Sequence, residues 1–227
     1  MTKKIFLTAL ALPLLADDAV VYEYPDGLTV EPIGEARVRM VAETVRAEAV
    51  KGLRMRVKAK FYLKNLSDQA LELSVGFPFR PLWGDEPSEA YMEEPSKALK
   101  ALRANLNLVS RVNGREVPVR MRLSRDSSRV WAVWSVRWGP GETKVLETEY
   151  TTRWSTWREV SGVFGYWLEY ITETGAGWAG DIGEALVEFE LPEGLPRPGV
   201  RWEEALVWRW SEGGRLSLDF SRIRWEF

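Results

Sequence analysis

The chain has 227 residues, a formal net charge of −2 and 45% hydrophobic residues, which suits one domain with a substantial core and no nucleic-acid partner. It contains no cysteine and no histidine, which excludes disulfides, thiol nucleophiles, Ser–His triads and the usual zinc sites. Only oxygen ligands remain for a metal, so we expect no cofactor, with calcium as the first candidate if an ion is bound.

Arginine and glutamate dominate the charged residues. There are 22 Arg against 9 Lys and 25 Glu against 8 Asp, while Asn and Gln together number 5. Few heat-labile amides and many ion-pairing side chains are typical of a thermophilic source.

The N-terminus has the pattern of a targeting segment. Lys3 and Lys4 precede the apolar run Ile5–Leu15, and Ala16 offers a small residue for cleavage. The run is shorter than the roughly 20 residues that span a bilayer. We therefore predict a signal peptide at residues 1–16 and a single domain at residues 17–227, exported to the periplasm or beyond, with no transmembrane anchor. The alternative is a buried N-terminal strand or helix.

Alternation of apolar and polar residues dominates the first half of the chain. Leu53–Lys64 has apolar residues at every odd position and polar ones, mostly Arg and Lys, at the even positions, which predicts a half-buried strand. Its basic face is expected to pair across strands with Glu147 and Glu149. The preceding segment is apolar at even positions from Val38 to Ala42 and at odd positions from Val45 to Ala49, which predicts a β-bulge near Glu43–Thr44.

The next segments combine a strand, an acidic connection and a helix. Leu71–Phe79 reads as an apolar strand, followed by an acidic loop from Trp83 to Pro95. Ser96–Arg103 is predicted to form the one short helix, with Pro95 in its first turn. Leu99 and Leu102 would then lie on its inner face.

Turn residues place the remaining strands. Asn113-Gly114 predicts a two-residue hairpin that pairs Val112 with Arg115 and Ser110 with Val117. Further strands are predicted at Val130–Val136, Thr143–Trp154, Ala185–Leu191, Arg201–Trp210 and Arg215–Phe220. For the last two strands, a three-residue loop pairs Trp208 with Leu218 and Trp210 with Leu216, and so keeps the apolar residues on one face. About ten strands with one short helix predict an all-β, antiparallel β-sandwich.

Two motifs resemble a known family. One is Gly76-Phe77-Pro78 after Asn65, and the other is the segment Tyr170–Ile182, with the pattern Y…TGA.W.G.I. The stretch RVRMVAETV at residues 37–45 resembles the same family's first core strand. The family is an exported bacterial one with a domain of unknown function, and the resemblance implies an exported β-rich protein without assigning an activity. The chain departs from the signature at Asp181, where a proline is common.

Tryptophan and glycine suggest a ligand-binding loop. The chain has twelve Trp residues, and flat indole rings stack on sugars in many β-sandwich modules. The candidate ligand-binding residues crowd one glycine-rich segment, and they are Trp167, Tyr170, Thr174, Gly175, Trp178 and Gly180. The alternative is a structural corner in which Trp178 closes the edge of the sandwich.

Carboxylates offer weaker candidates. Asp85, Glu86 and Asp181 could contribute to a calcium site, although a solvated acidic loop is the favoured interpretation of the first two. A carboxylate-based hydrolase would need a pair flanking a cleft, and candidates near the glycine-rich segment are Glu169, Glu173, Asp181 and Glu184.

The leading hypothesis is a non-enzymatic envelope protein that acts by binding or assembly, with another envelope protein or a glycan as partner. A carbohydrate-binding module is the alternative, and a carboxylate-based hydrolase is the third hypothesis.

Overall fold

The computed structural model of the protein describes residues 15–16, 18–50, 54–79, 93–126, 129–153, 155–158, 164–167, 170–171, 177–190, 207–210 and 215–219. In those residues the chain forms one helix, α1 (Pro95–Leu106), and seventeen strands. The strands are β1 (Leu15–Ala16), β2 (Ala19–Glu23), β3 (Thr29–Ile33), β4 (Val38–Val50), β5 (Arg54–Asn65), β6 (Leu71–Phe79), β7 (Val109–Val112), β8 (Arg115–Glu116), β9 (Arg120–Ser124), β10 (Val130–Trp138), β11 (Thr143–Arg153), β12 (Ser155–Arg158), β13 (Phe164–Trp167), β14 (Tyr170–Ile171), β15 (Ala185–Glu190), β16 (Val207–Trp210) and β17 (Arg215–Asp219).

Two sheets make up the body of the fold. The large sheet has the order β16-β17-β15-β4-β5-β11-β7-β8, and the closed sheet joins β10-β6-β2-β3-β9 in a ring. The prediction of an all-β, sandwich-like fold with one short helix is confirmed. Both sheets are mixed rather than wholly antiparallel, because β15 runs parallel to β4 and β3 runs parallel to β9.

Strand β5 shows how the residue pattern builds the large sheet. Met55, Val57, Ala59, Phe61 and Leu63 are all buried in the main core. The polar residues between them face outward, where Lys60 pairs with Glu147 at 2.8 Å and Arg56 with Glu48 at 3.1 Å. Because a one-residue slip would exchange the two faces, this alternation fixes the register of β5 against its neighbours.

The bulge in β4 lies earlier than the sequence pattern suggested. The register with β5 shifts between Met40 and Ala42, which leaves Val41 as the extra residue. The prediction near Glu43–Thr44 rested on the apolar residues alone, which change from even to odd positions between Ala42 and Val45. Glu43 is only 2% exposed and occupies an inward position. The switch of the inward face from even to odd positions therefore occurs before Glu43.

The first half of β10, from Val130 to Trp134, is buried on both faces and links two cores. Its even-numbered residues, among them Trp134 and Trp138, belong to the main core between the two sheets. Trp131 and Val133 instead fill the interior of the closed sheet. A Cβ atom on Gly76 would lie 2.9 Å from Cε3 of Trp131, so glycine at this position of the Gly-Phe-Pro motif leaves room for the indole.

The single described helix covers one end of the main core. It runs from Pro95 to Leu106, one turn beyond the predicted end, and Asn107 closes it in the left-handed conformation. Leu99, Leu102 and Leu106 are buried, as the pattern of the helix predicted for the first two. None of the helical residues that the structure describes forms a segment with the length and apolar character needed to cross a bilayer.

Two predicted hairpin registers are confirmed. Asn113 and Gly114 have φ angles of 49° and 77°, and the turn pairs Val112 with Arg115. At the C-terminal end, Trp208 pairs with Leu218 and Trp210 with Leu216.

Asn65 ties two loops together at the edge of the sandwich. Its side chain is fully buried, and its Nδ2 donates to the carbonyls of Gln69 at 2.7 Å and Gly139 at 2.9 Å. Its Oδ1 accepts from the backbone and hydroxyl of Ser67 at 2.9 and 2.8 Å. The amide therefore satisfies both loops at once, which explains an asparagine at this position.

Tyr150 packs in an aromatic cluster without using its hydroxyl. Its ring centroid lies 5.1 Å from that of Phe79 and 5.7 Å from that of Phe77. The hydroxyl is buried and has no hydrogen-bond partner among the described residues, and burial raises the pKa of Tyr150 well above its ordinary value. An unsatisfied buried hydroxyl lowers the free energy of unfolding.

We predict that Tyr150→Phe stabilises the protein by about 1 kcal/mol, because it removes an unsatisfied polar atom and keeps the ring packing. Urea unfolding followed by tryptophan fluorescence measures this change. Tyr62→Phe, on the outward face of β5, is the matched control and should change stability by less than about 0.5 kcal/mol. A destabilised Tyr150→Phe variant would show that the hydroxyl does make a favourable contact.

Candidate functional site

Residues 177–184, here called the glycine corner, lie against the start of β4. The backbone N–H of Glu35 donates to the Gly177 carbonyl at 2.7 Å, and that of Ala179 donates to the Val38 carbonyl at 2.8 Å. Further along, Gly183 donates to the Met40 carbonyl at 3.2 Å. A run of backbone hydrogen bonds therefore holds the corner to the strand that carries the bulge.

Trp178 is part of the core. Its side chain is 5% exposed, and its Nε1–H donates to the Asp18 carbonyl at 2.7 Å. The indole joins the main hydrophobic cluster and closes the space between β2 and β4. Trp178 therefore contributes packing and does not offer an open ring face to a ligand.

Glu35 adds a charged clamp beside the corner. The Arg37 guanidinium donates to both carboxylate oxygens of Glu35, at 2.8 and 2.6 Å, and the Arg37 backbone donates at 2.9 Å. The side-chain hydrogen bond from Arg37 lowers the pKa of Glu35, and this outweighs the opposing effect of burial.

The other residues predicted from the sequence fall in different elements of the described part of the chain. Trp167 ends β13 and Tyr170 begins β14, in two different two-stranded sheets. Gly180 is exposed with a φ of 63°, and the carbonyl of the exposed Asp181 accepts from Arg39 Nε at 3.2 Å. Glu184 is exposed, and its backbone carbonyl accepts from the backbone N–H of Glu43 at 2.7 Å. The remaining candidates lie outside the described residues, and they are Thr174, Gly175, Asp85, Glu86, Glu169 and Glu173.

The calcium site and the ligand-binding loop near residues 174–182 are predictions that the described residues do not test. Within the described ranges, no three acidic residues converge in a way that would hold a metal ion.

Glycine is required in the corner for two different reasons, close backbone contact at Gly183 and a left-handed conformation at Gly180, and substitutions distinguish them. A Cβ on Gly183 would lie 2.4 Å from the Val41 carbonyl oxygen, whereas a Cβ on Gly180 would meet nothing within 4 Å. We predict that Gly183→Ala destabilises the protein by about 3 kcal/mol, since a backbone atom must move.

Gly180→Ala is the control, with an expected cost of about 1 kcal/mol from its left-handed conformation alone. Chemical unfolding of both variants measures the difference. Equal costs would contradict the close approach of the corner to β4.

A second locus, which the sequence did not reveal, lies on the β2–β3 hairpin. The turn is rigid, because Asp26 Oδ1 accepts from the backbone N–H groups of Leu28 and Thr29 at 2.7 and 2.8 Å. The Thr29 hydroxyl and these backbone groups lower the pKa of Asp26. Gly27 adopts a φ of 64°, which glycine allows at no steric cost.

The outward face of this hairpin exposes aromatic and apolar side chains. Only three large hydrophobic residues are exposed among those whose side chains are described, and two of them, Tyr22 at 48% and Ile33 at 42%, lie here. The third is Leu66, at 52%, in the β5–β6 loop. The rings of Tyr22 and Tyr24 meet edge to face, with centroids 5.1 Å apart and planes at 85°.

Charged groups fix Tyr24 in place. Arg125 donates from Nη1 to the Tyr24 hydroxyl at 3.1 Å, and its Cζ lies 5.3 Å from the ring centroid. A hydrogen bond to Glu31 is the main reason that the pKa of Tyr24 is raised. Tyr22, Tyr24, Glu31, Ile33 and Arg125 are together called the hairpin surface below.

On the opposite face of β2, Glu23 anchors the hairpin to strands β6 and β9 of the closed sheet. Glu23 accepts from Ser74 Oγ at 2.8 Å, from Arg120 Nη2 at 2.6 Å and from Arg122 Nε at 3.3 Å. Burial acts to raise the pKa of Glu23, but the hydrogen bonds from Arg120 and Ser74 and the positive charge of both arginines outweigh it and lower the pKa. The hairpin surface is thus carried by a strand whose inner face is held by β6 and β9.

Glu23 should make the free energy of unfolding depend on pH in the acidic range. The pKa of its folded form lies below its ordinary value of 4.5, so its contribution is present above about pH 4.5 and is lost as the pH falls through the folded-state pKa. We predict that Glu23→Gln lowers the free energy of unfolding by about 1–2 kcal/mol at pH 7.

The difference between Glu23→Gln and the parent chain should shrink below about pH 4, where the parent carboxylate also becomes neutral. Urea unfolding at several pH values measures it. Glu72→Gln is the control, because Glu72 pairs with Arg137 at 2.6 Å on the exposed surface, and should cost less than about 0.5 kcal/mol. A difference that persists unchanged at low pH would contradict the assignment.

The amino-acid sequence alone does not predict the hairpin surface, because one of its residues comes from a distant part of the chain. Tyr22 and Tyr24, two residues apart before the Asp26-Gly27 turn, were a usable local signal. Arg125, however, lies 101 residues further along the chain than Tyr24. Only the closure of β3 onto β9 brings it to the tyrosine ring.

Comparisons with known proteins support the fold. No protein-family model matches the chain, and a comparison with curated proteins gives no match. The solved structure of a candidate nutrient-binding protein from Legionella pneumophila is similar to it, with a TM-score of 0.57 and 17% identity over 89% of this chain and 67% of that one. The family resemblance of the Tyr170–Ile182 signature stays a prediction.

Two enzyme structures are more distant. The M1 zinc metallopeptidase of Deinococcus radiodurans has a TM-score of 0.37 and 11% identity over 83% of this chain and 39% of that one. The leukotriene A4 hydrolase of Saccharomyces cerevisiae has a TM-score of 0.42 and 10% identity over 81% and 27%. The chain spans well under half of either enzyme, and these likenesses carry no conclusion about its chemistry.

Proposed function

We propose that the protein is exported and acts as a non-enzymatic binding protein through the hairpin surface. The observation that carries the proposal is the exposed Tyr22 ring, which packs edge to face against Tyr24. Arg125 holds Tyr24 in turn, and the inner face of the same strand is anchored through Glu23. Tyrosine and arginine are the residue types most enriched where binding energy concentrates. A rigid scaffold also lowers the entropy lost on binding.

The coarse assignment to binding has independent support. The Legionella pneumophila protein with a similar fold is a candidate nutrient-binding protein. A shared fold does not transfer a ligand, but the likeness supports a binding role for this architecture. The absence of histidine and cysteine from the whole chain favours binding over catalysis.

Export is supported by the N-terminal pattern. The basic and apolar residues before Ala16 have the order of a signal peptide. Directly after that position, Asp18, Ala19, Val20 and Val21 are all buried. A peptidase binds an extended and accessible segment, so cleavage after Ala16 must come before these residues enter the core.

We predict that the mature protein isolated from its native host begins at Asp17 and is found outside the cytoplasm. Intact-mass analysis of the periplasmic and extracellular fractions measures both. A mature form that retains residues 1–16 and stays with cytoplasmic markers would remove export from the proposal.

Crosslinking in intact cells tests the binding role while the ligand is still unidentified. We predict that the aromatic photo-crosslinking amino acid p-benzoylphenylalanine placed at position 22 captures a ligand, because it keeps an aromatic ring at the more exposed position of the tyrosine pair. The same amino acid at Leu66, which is equally exposed but lies on another loop, is the control. Equal capture at the two positions, or none at Tyr22, would contradict the proposal.

A further inference from the structure

The hairpin surface has the composition of a small amphipathic site. It offers one open aromatic ring on Tyr22, a bordering apolar side chain on Ile33 and two fixed charges of opposite sign on Glu31 and Arg125. We propose that this surface binds a neutral saccharide, with one sugar ring stacked on Tyr22 and its hydroxyl groups bonded to Arg125 and Glu31. The inference rests on the proposed binding role and names its ligand class.

The ring geometry indicates how the saccharide would lie. The C–H face of a pyranose is apolar and packs on an exposed aromatic face. Since the planes of Tyr22 and Tyr24 meet at 85°, the pair cannot form the flat platform that a polysaccharide sheet requires. The site therefore fits a single sugar ring or a chain end, with Tyr24 supporting the edge of Tyr22.

The polar groups match sugar hydroxyls. Arg125 uses one donor on the Tyr24 hydroxyl and has further N–H groups in its planar fork. Glu31 lies directly across the hairpin from Tyr22 and so on the same face, and its carboxylate oxygens offer lone pairs to a ligand hydroxyl. A hydroxyl both donates and accepts, so two neighbouring hydroxyls can satisfy a guanidinium and a carboxylate side by side.

Charge favours a neutral ligand over an acidic one. Glu31 and Arg125 cancel each other on the hairpin surface. The nearby guanidinium groups of Arg120 and Arg122 are engaged with Glu23 on the inner side of β2. The five residues of the hairpin surface therefore carry no net positive charge that would select a uronate, a phosphate or a nucleic acid.

Size argues against a protein partner. A stable protein–protein interface uses about 800 Å² and about 20–30 residues on each side. The hairpin surface has five residues, and Leu66 is the only other exposed large hydrophobic residue among those with described side chains. Five residues suffice for one or two sugar rings.

Isothermal titration of the mature chain against neutral hexasaccharides tests the inference. The probes are cello-, xylo-, manno-, malto- and chito-oligosaccharides, with an oligogalacturonate as the acidic counterpart. We expect at least one neutral probe to bind. Tyr22→Ala should weaken that binding by about tenfold or more, since it removes the stacking face.

Two further variants make the result specific. Tyr24→Phe keeps the supporting ring but releases Arg125 and Glu31, and should weaken binding by about threefold. Leu66→Ala removes an equally exposed apolar side chain elsewhere and should leave the affinity unchanged. Melting curves of each variant show that the fold is intact.

Three results would overturn the inference. These are no heat with any neutral probe at millimolar concentration, preference for the oligogalacturonate, or equal affinity of the parent chain and Tyr22→Ala. Capture of a protein by the crosslinker at Tyr22 would also reject the saccharide while leaving the binding role intact. Failure of both experiments would reject the binding role itself.

Discussion

The burial of both faces of β10 between Val130 and Trp134 is the constraint on which the rest of the structure depends. Its even-numbered residues form one side of the main core, while Trp131 and Val133 fill the closed sheet. A strand with two dry faces must be covered on both sides, so the chain between β1 and β10 cannot form a simple second layer. It closes instead into a ring, with β10 paired to both β6 and β9.

Closure of the ring creates the hairpin surface as a consequence. Once Ala19 and Val21 face the Trp131 core, the alternation of β2 sends Tyr22 outward and Glu23 inward. Glu23 then meets the two arginines of β9, which holds the hairpin firmly while leaving its outer face open. The proposed binding role is thus a property of the closed sheet, and the saccharide inference adds only the chemistry of the exposed groups.

The glycine corner holds the core together and does not present an open surface. Gly183 approaches the Val41 carbonyl too closely for any side chain, and Trp178 bonds to the Asp18 carbonyl. The part of the signature that the structure describes is therefore used to join β4, the bulge and the start of β2. A motif rich in glycine and aromatic residues can look like a ligand loop when its glycines are needed for backbone contact.

Sequence alone determined what depends on neighbouring residues: the faces of β5, the Asn113-Gly114 turn, the inner side of α1 and the pairing of Trp208 with Leu218. Each follows from side-chain alternation, helical period or turn chemistry, which act over a few residues. The tertiary structure decided the bulge position, because Glu43 is buried at an inward position where an apolar residue would be expected. It also decided the candidate site, because Arg125 reaches Tyr24 only through ring closure. Local patterns record which face of a strand is dry, whereas contacts between distant segments depend on how the sheets close.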